Sequence, residues 1–97
     1  MKLMISQPMR GKTEQQIRDE RTELIKQLES EGYEVVDTIF AEESPKDCDA
    51  ALYYLSKSID AMSRVDGLVF MPGWQDARGC RIEFQVALEY GKFIKQA

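Results

Sequence analysis

The chain reads as one α/β domain built on a parallel sheet. Three observations carry that expectation. Short apolar runs alternate with amphipathic stretches in the order β-α-β-α-β-α-β, the pattern of a parallel sheet with right-handed crossovers. The third apolar run, Gly67-Leu68-Val69-Phe70-Met71, is nearly continuous, as in a strand covered by helices on both faces. The 97 residues fit a single compact domain, so 1–97 is taken as one unit.

Leu3-Met4-Ile5, bounded by Ser6, Gln7 and Pro8, is a short buried strand. Met9-Arg10-Gly11-Lys12 is a loop. Thr13 and Gln16 have capping-box spacing and open a helix with Ile17, Leu24, Ile25 and Leu28 on one face; Gly32 stops it. Residues 33–40, with Tyr33, Val35, Val36, Ile39 and Phe40, read as the second strand. The polar stretch 41–49, containing Pro45, is the longest loop, and Asp49 is placed to cap the second helix. That helix, over 50–64, carries Ala51, Tyr54, Leu55, Ile59 and Met62 at helical spacing. After the third strand, Pro72-Gly73 makes a turn. A last helix runs from about Gly79 or Cys80 to Tyr90, Gly91 stops it, and Phe93-Ile94 forms a fourth strand.

Composition narrows the function classes. Thirteen Lys and Arg against 17 Asp and Glu give a net charge of −4, which argues against a binder of nucleic-acid polymers. A single nucleotide needs only one or two Arg residues and some backbone N–H groups, so it stays open as a ligand. The absence of His and of any CxxC pair speaks against a structural zinc site and against Ser-His or Cys-His nucleophiles. No metal or other cofactor is expected, and acid–base work would fall to carboxylates, Tyr, Lys or water. No apolar run approaches membrane-spanning length and no signal-like segment precedes the first strand. The expectation is a cytoplasmic protein with reduced thiols and no membrane partner.

In open parallel sheets ligands bind beyond the carboxyl ends of the strands. Three segments meet that condition: 6–12, 38–49 and 72–79. Arg10-Gly11 and Arg78-Gly79 there combine close backbone approach with a forked anion donor. Glu83 then falls in the first turn of the expected last helix, on a face shared with Val86, Ala87 and Tyr90. From pattern alone it serves the helix dipole or heads a reactive crevice. Trp74 reads either as a stacking platform for a base or sugar or as a core plug. Cys80 at a helix start is a low-pKa thiol or a small packing residue. Arg10 holds a phosphate or is solvated, and Asp47, Asp49, Asp60, Asp66 and Asp76 have the character of surface charge.

These residues together resemble the nucleoside 2-deoxyribosyltransferase-like superfamily, and more closely its small, largely uncharacterised bacterial and phage branch. The resemblance covers nearly the whole chain. Its anchors are Ile5-Ser6-Gln7-Pro8-Met9-Arg10-Gly11, and Pro72-Gly73-Trp74 followed by Arg78-Gly79-Cys80-Arg81-Ile82-Glu83. It implies a flavodoxin-like (Rossmann-like) three-layer sandwich with a small parallel sheet of four to five strands. It implies breakage or exchange of the N-glycosidic bond of nucleosides or their 5′-monophosphates. The nucleophile in that family is a Glu four residues after a Gly, which Glu83 after Gly79 matches. The first loop contacts sugar and phosphate, which gives Ser6, Gln7, Pro8, Met9, Arg10 and Gly11 as binding candidates, with Ser58, Gly73, Trp74, Arg78 and Gly79 from the other segments. Homodimers or larger homo-oligomers are implied as well. Two positions depart from the pattern: Ser58 stands where the family commonly has Asp, and Ala77 where the transferases have another.

Three functions compete on these grounds. The first is an N-glycosidase or deoxyribosyltransferase working through Glu83. The second is a non-catalytic nucleotide-binding module, a sensor or sponge for a nucleotide signal, which the loss of Asp at Ser58 favours. The third is an interaction domain that kept the fold and lost the pocket.

Overall fold

The computed structural model describes residues 1–38 and 43–97. Four strands, β1 (Lys2–Ser6), β2 (Glu34–Val36), β3 (Gly67–Phe70) and β4 (Phe93–Gln96), alternate with three helices, α1 (Glu14–Ser30), α2 (Ala50–Met62) and α3 (Arg78–Glu89). The sheet order is β2-β1-β3-β4 and every pairing is parallel. This is the α/β architecture expected from the alternation, consistent with a flavodoxin-like three-layer fold. Among the described residues no helix is long and apolar enough to cross a membrane.

The layers arise from the period of two along each strand. Leu3, Ile5 and Val69 point to one side and meet Leu24 and Leu28 of α1. Met4, Leu68 and Phe70 point to the other and meet Met62 of α2 and Ala87 of α3. β1 and β3 are the central strands, and the four side chains of β3 are all buried. α1 opens on a complete capping box, with Thr13 Oγ1 accepting from Gln16 N and Gln16 Oε1 accepting from Thr13 N. It closes on a Schellman arrangement at Gly32, whose φ of 93° excludes most side chains; Tyr33 N donates to Leu28 O and Gly32 N to Glu29 O.

Several boundaries differ from the sequence expectation. β2 has three residues rather than the stretch 33–40, because an edge strand here pairs only with Lys2, Leu3 and Met4. Ile39 and Phe40 lie outside the described residues. α2 stops at Met62, where Ser63 N and Arg64 N turn back on Asp60 O and Ala61 O. A short 3-10 turn, Trp74–Asp76, precedes α3, which begins at Arg78 with Ala77 as its cap. Glu83 is therefore the sixth residue of α3 and stands in its second turn, beyond the free N–H groups at the helix start.

Candidate functional site

The sheet order changes direction between β1 and β3, since the chain moves left from β1 to β2 and right from β3 to β4. Loops leaving the carboxyl ends of those two strands diverge there and open a crevice. A cleft of about 970 Å³ occupies that position. The loop after β1 contributes Gln7, Pro8, Met9 and Arg10, and Thr38 comes from beyond β2. α2 contributes Ala51, Tyr54, Leu55 and Ser58; the turn before α3 and its first turns contribute Gly73, Asp76, Arg78, Gly79, Cys80 and Glu83. A flatter depression of about 560 Å³ lies along the outside of α1 against Met71. It is lined by surface side chains such as Glu23, Lys26 and Gln27, whereas buried charge converges on the cleft.

Glu83 is 7% exposed. It lies on the inward face of α3 with Cys80 and Ala87, which settles a face assignment the sequence left ambiguous. Tyr90, expected on the same face, is 78% exposed at the helix cap. Ser6 Oγ, at the end of β1, donates a 2.8 Å hydrogen bond to Glu83 Oε1. Burial pushes the Glu83 carboxyl above the ordinary carboxylate range, opposed by the Ser6 hydrogen bond, the Arg21 charge and the Ser58 hydroxyl. The expected place of Glu83 in the first turn is thus corrected: it sits a turn farther along α3, where the helix dipole has faded and burial raises the carboxyl's pKa.

Arg21 is the residue sequence reasoning missed. It is 3% exposed and lies in the middle of the α1 stripe, four after Ile17 and three before Leu24. Its Nε donates to Gln7 Oε1 at 3.1 Å, and its Nη1 donates to Thr38 Oγ1 at 3.4 Å and pairs with Asp37 Oδ1 at 3.6 Å. Burial lowers the Arg21 pKa, with Asp37 and Glu83 acting against it; a guanidinium stays charged regardless. The signal was available: a cation inside an apolar stripe is rarely left without buried partners.

Other candidates sort by where their polar atoms go. Gln7 lines the cleft, but its amide is spent inward, accepting from Arg21 and donating to Ile17 O and Glu20 Oε1. Glu20 also binds Lys12 Nζ at 2.9 Å, which holds its carboxyl below the usual range. The first loop is thereby tied to α1. Arg10 and Arg78 stand exposed on the cleft rim with no hydrogen bond or ion pair among the described residues. Ser6 lies behind the wall, 1% exposed, and acts through Glu83. Gly11 is not among the lining residues, since the chain turns away there into α1. Trp74 does not line the cleft either: its ring stacks on Phe84 at 4.4 Å and packs against Phe70 at 5.3 Å, so it plugs the core. Its Nε1 is buried without a hydrogen-bond partner among the described residues. Cys80 is buried, and desolvation raises its thiol pKa, which removes the activated-thiolate reading. Among the described residues no cluster of three metal-ligating side chains occurs.

Residues 1–96 match a domain family described as "Domain of unknown function (DUF4406)". The chain belongs to the DUF4406 family. No curated protein and no solved structure matches it. In this DUF4406 domain the matched span includes every strand and helix, and with them the whole described cleft.

Proposed function

We propose that the protein cleaves or exchanges the N-glycosidic bond of a nucleoside or nucleoside 5′-monophosphate, with Glu83 as nucleophile. This rests on the resemblance to nucleoside 2-deoxyribosyltransferase-like proteins and on one observation above all. A buried carboxylate, oriented by Ser6 Oγ at 2.8 Å, faces a cleft whose rim carries Arg10 and Arg78. A carboxylate in that setting is costly unless it is paired or used.

In the reaction the ionised Glu83 attacks the anomeric carbon through an oxocarbenium-like state. A C–O bond to Glu83 forms as the C–N bond breaks, and the base departs with that electron pair and takes a proton from water. A water molecule then attacks the same carbon, the ester to Glu83 breaks, and the attacking water gives up a proton. The net change is hydrolysis. With a second base as acceptor, its ring nitrogen replaces the water, loses a proton, and a new nucleoside results. Ser6 and Ser58 steady the carboxylate, and Arg10 and Arg78 suit a 5′-phosphate. No cofactor enters. The reading includes a cytoplasmic location and a homodimer or larger homo-oligomer, for which exposed Leu52, Leu88 and Tyr90 offer apolar surface.

The test is incubation with a panel of deoxyribonucleosides, ribonucleosides and their 5′-monophosphates, following free base by chromatography. Release by the wild type and its loss in Glu83→Gln support the reading; equal release by both sinks it. One observation favours a second reading, a nucleotide-binding module without turnover. Ser58, the cleft residue on α2 that acts on Glu83, cannot protonate a leaving base as a carboxylic acid would, and the other carboxyl among the described lining residues is Asp76. Calorimetric binding of a nucleotide that is then recovered intact would establish that reading.

A further inference from the structure

The end of β1 joins two buried charges that come from opposite layers of the sandwich. Glu83 arrives from α3 and Arg21 from α1, on the other side of the sheet. Consecutive residues receive them: Ser6 Oγ donates to Glu83 Oε1 at 2.8 Å, and Gln7 Oε1 accepts from Arg21 Nε at 3.1 Å. Arg21 also holds Thr38 at 3.4 Å, so one guanidinium fixes the cleft wall at the ends of both β1 and β2. Its ion-pair partner Asp37 is mostly solvated, with its side chain 61% exposed. Asp37 is the stronger opposite charge on Arg21 and Glu83 the next, but water screens the exposed Asp37 carboxylate, which leaves part of the buried guanidinium's charge for a buried partner. The buried carboxylate at the same strand end is Glu83.

We propose that Arg21 is a positioning residue, the buried counter-charge that readies Glu83 for attack while locking Gln7 and Thr38 into the cleft wall. The proposal rests on the reading of Glu83 as the reacting carboxylate. It assigns α1, which sends no lining residue into the cleft, a part in preparing Glu83 from behind the cleft wall. Among the described residues the groups around Glu83 are few. Ser6 faces it from β1 and Ser58 from α2, Cys80 shares its helix, and Arg21 acts from α1. Asp76, Arg10, Arg78 and Arg81 line the more open part of the cleft. Arg21 itself feels Asp37, Glu83 and the like charge of Arg18. Among the described groups acting directly on Glu83, only Arg21 is a buried cation.

The experiment needs no substrate. The protein is labelled with glutamate carrying carbon-13 at the carboxyl, the Glu83 signal is assigned by its loss in Glu83→Gln, and its titration is followed by NMR. In Arg21→Met the Glu83 midpoint moves upward by about one pH unit or more, the effect of removing an opposite charge at close range. In Arg21→Lys, which keeps the charge and loses the fork, it returns toward the wild-type position. Coincident titrations of wild type and a folded Arg21→Met overturn the proposal. If Arg21→Met is too unstable to titrate, the double variant Arg21→Met/Glu83→Gln decides. The proposal expects Glu83→Gln to stabilise the Arg21→Met background more than the wild type, because it removes an uncompensated charge. An equal gain in both backgrounds, or a double variant as unfolded as the single, overturns it. A wild type that releases no base would sink the proposed reaction and leave these measurements untouched, so the two failures are distinguishable.

Discussion

At the scale of single residues, the protonation of Glu83 links stability to the proposed chemistry. Its pKa in the fold lies above the ordinary carboxylate range, chiefly through burial. The native state therefore binds this proton more tightly than the unfolded chain does. The resulting stability is fully present below the ordinary carboxylate range and is lost as pH rises through the folded value. Glu83→Gln should raise the melting temperature at neutral pH, and the gain should vanish when melting is repeated in acid below that range. The same substitution should cut base release on the order of a thousandfold or more, as loss of a nucleophile does. The acid limb of the pH–rate profile should lie above that of an ordinary carboxylate, because the proposed attacking form is the ionised one. The two thiols make a simpler contrast. Cys48 is exposed, whereas Cys80 is buried with its ionisation disfavoured. Iodoacetamide should label Cys48 on the order of tenfold faster than Cys80, read by mass spectrometry. Faster labelling of Cys80 would contradict its packing role.

At the scale of elements, position within a helix decides what each side chain does. α3 starts at Arg78, so Glu83 falls one turn beyond the dipole's reach and takes its environment from β1 and α2 instead. α1 is held at both ends by local signals, and its capping box is complete. Thr13→Ala should lower stability by about 1 kcal/mol in urea unfolding, with the cleft residues unaffected. The β3–β4 contact is less forgiving. Gly67 pairs with Phe93, and a Cβ at Gly67 would meet the Phe93 backbone oxygen and Cβ. Backbone on an adjacent strand cannot swing away as a side chain can. Gly67→Ala should therefore destabilise by about 3 kcal/mol, at the upper end of overpacking costs, or displace β4 from the sheet. Wild-type stability in that variant would show that the two strands part easily.

At the scale of the whole molecule, the cleft joins parts far apart in sequence, and a ligand there should stabilise the entire fold. A nucleotide that binds the native state alone adds about 2.7 kcal/mol at a hundred times its Kd. A deoxynucleoside 5′-monophosphate should raise the melting temperature of the wild type more than the matching nucleoside does. The difference should shrink when Arg10 and Arg78 are both changed to Gln, since the phosphate then loses its rim cations. A shift that ignores the phosphate would place the ligand elsewhere. Light scattering tests the proposed self-association, and a monomer at high protein concentration would remove that part of the reading.

Local patterns sufficed for much of this. Alternation and period identified the elements, Thr13 with Gln16 the start of α1, Gly32 its end, and the apolar run 67–71 the buried central strand. These signals are short-range, so they survive in one dimension. The segments flanking the cleft were legible too, because ligand sites lie at strand ends in parallel sheets. Trp74 was not: only packing against Phe70 and Phe84 decides between core and cleft. The inward turn of Gln7 and the partners of Arg21 were equally hidden. Whether a polar side chain is spent depends on partners 14 and 17 positions distant, from Gln7 to Arg21 and from Arg21 to Thr38. The sequence by itself determined the alternation of strands and helices and, through it, the layers. Tertiary structure alone decided that Glu83 lies in the second turn, 77 residues from its partner Ser6, with a cation behind it. Charge environment is a property of neighbours in space, and the crossovers of a parallel sheet make those neighbours remote in sequence.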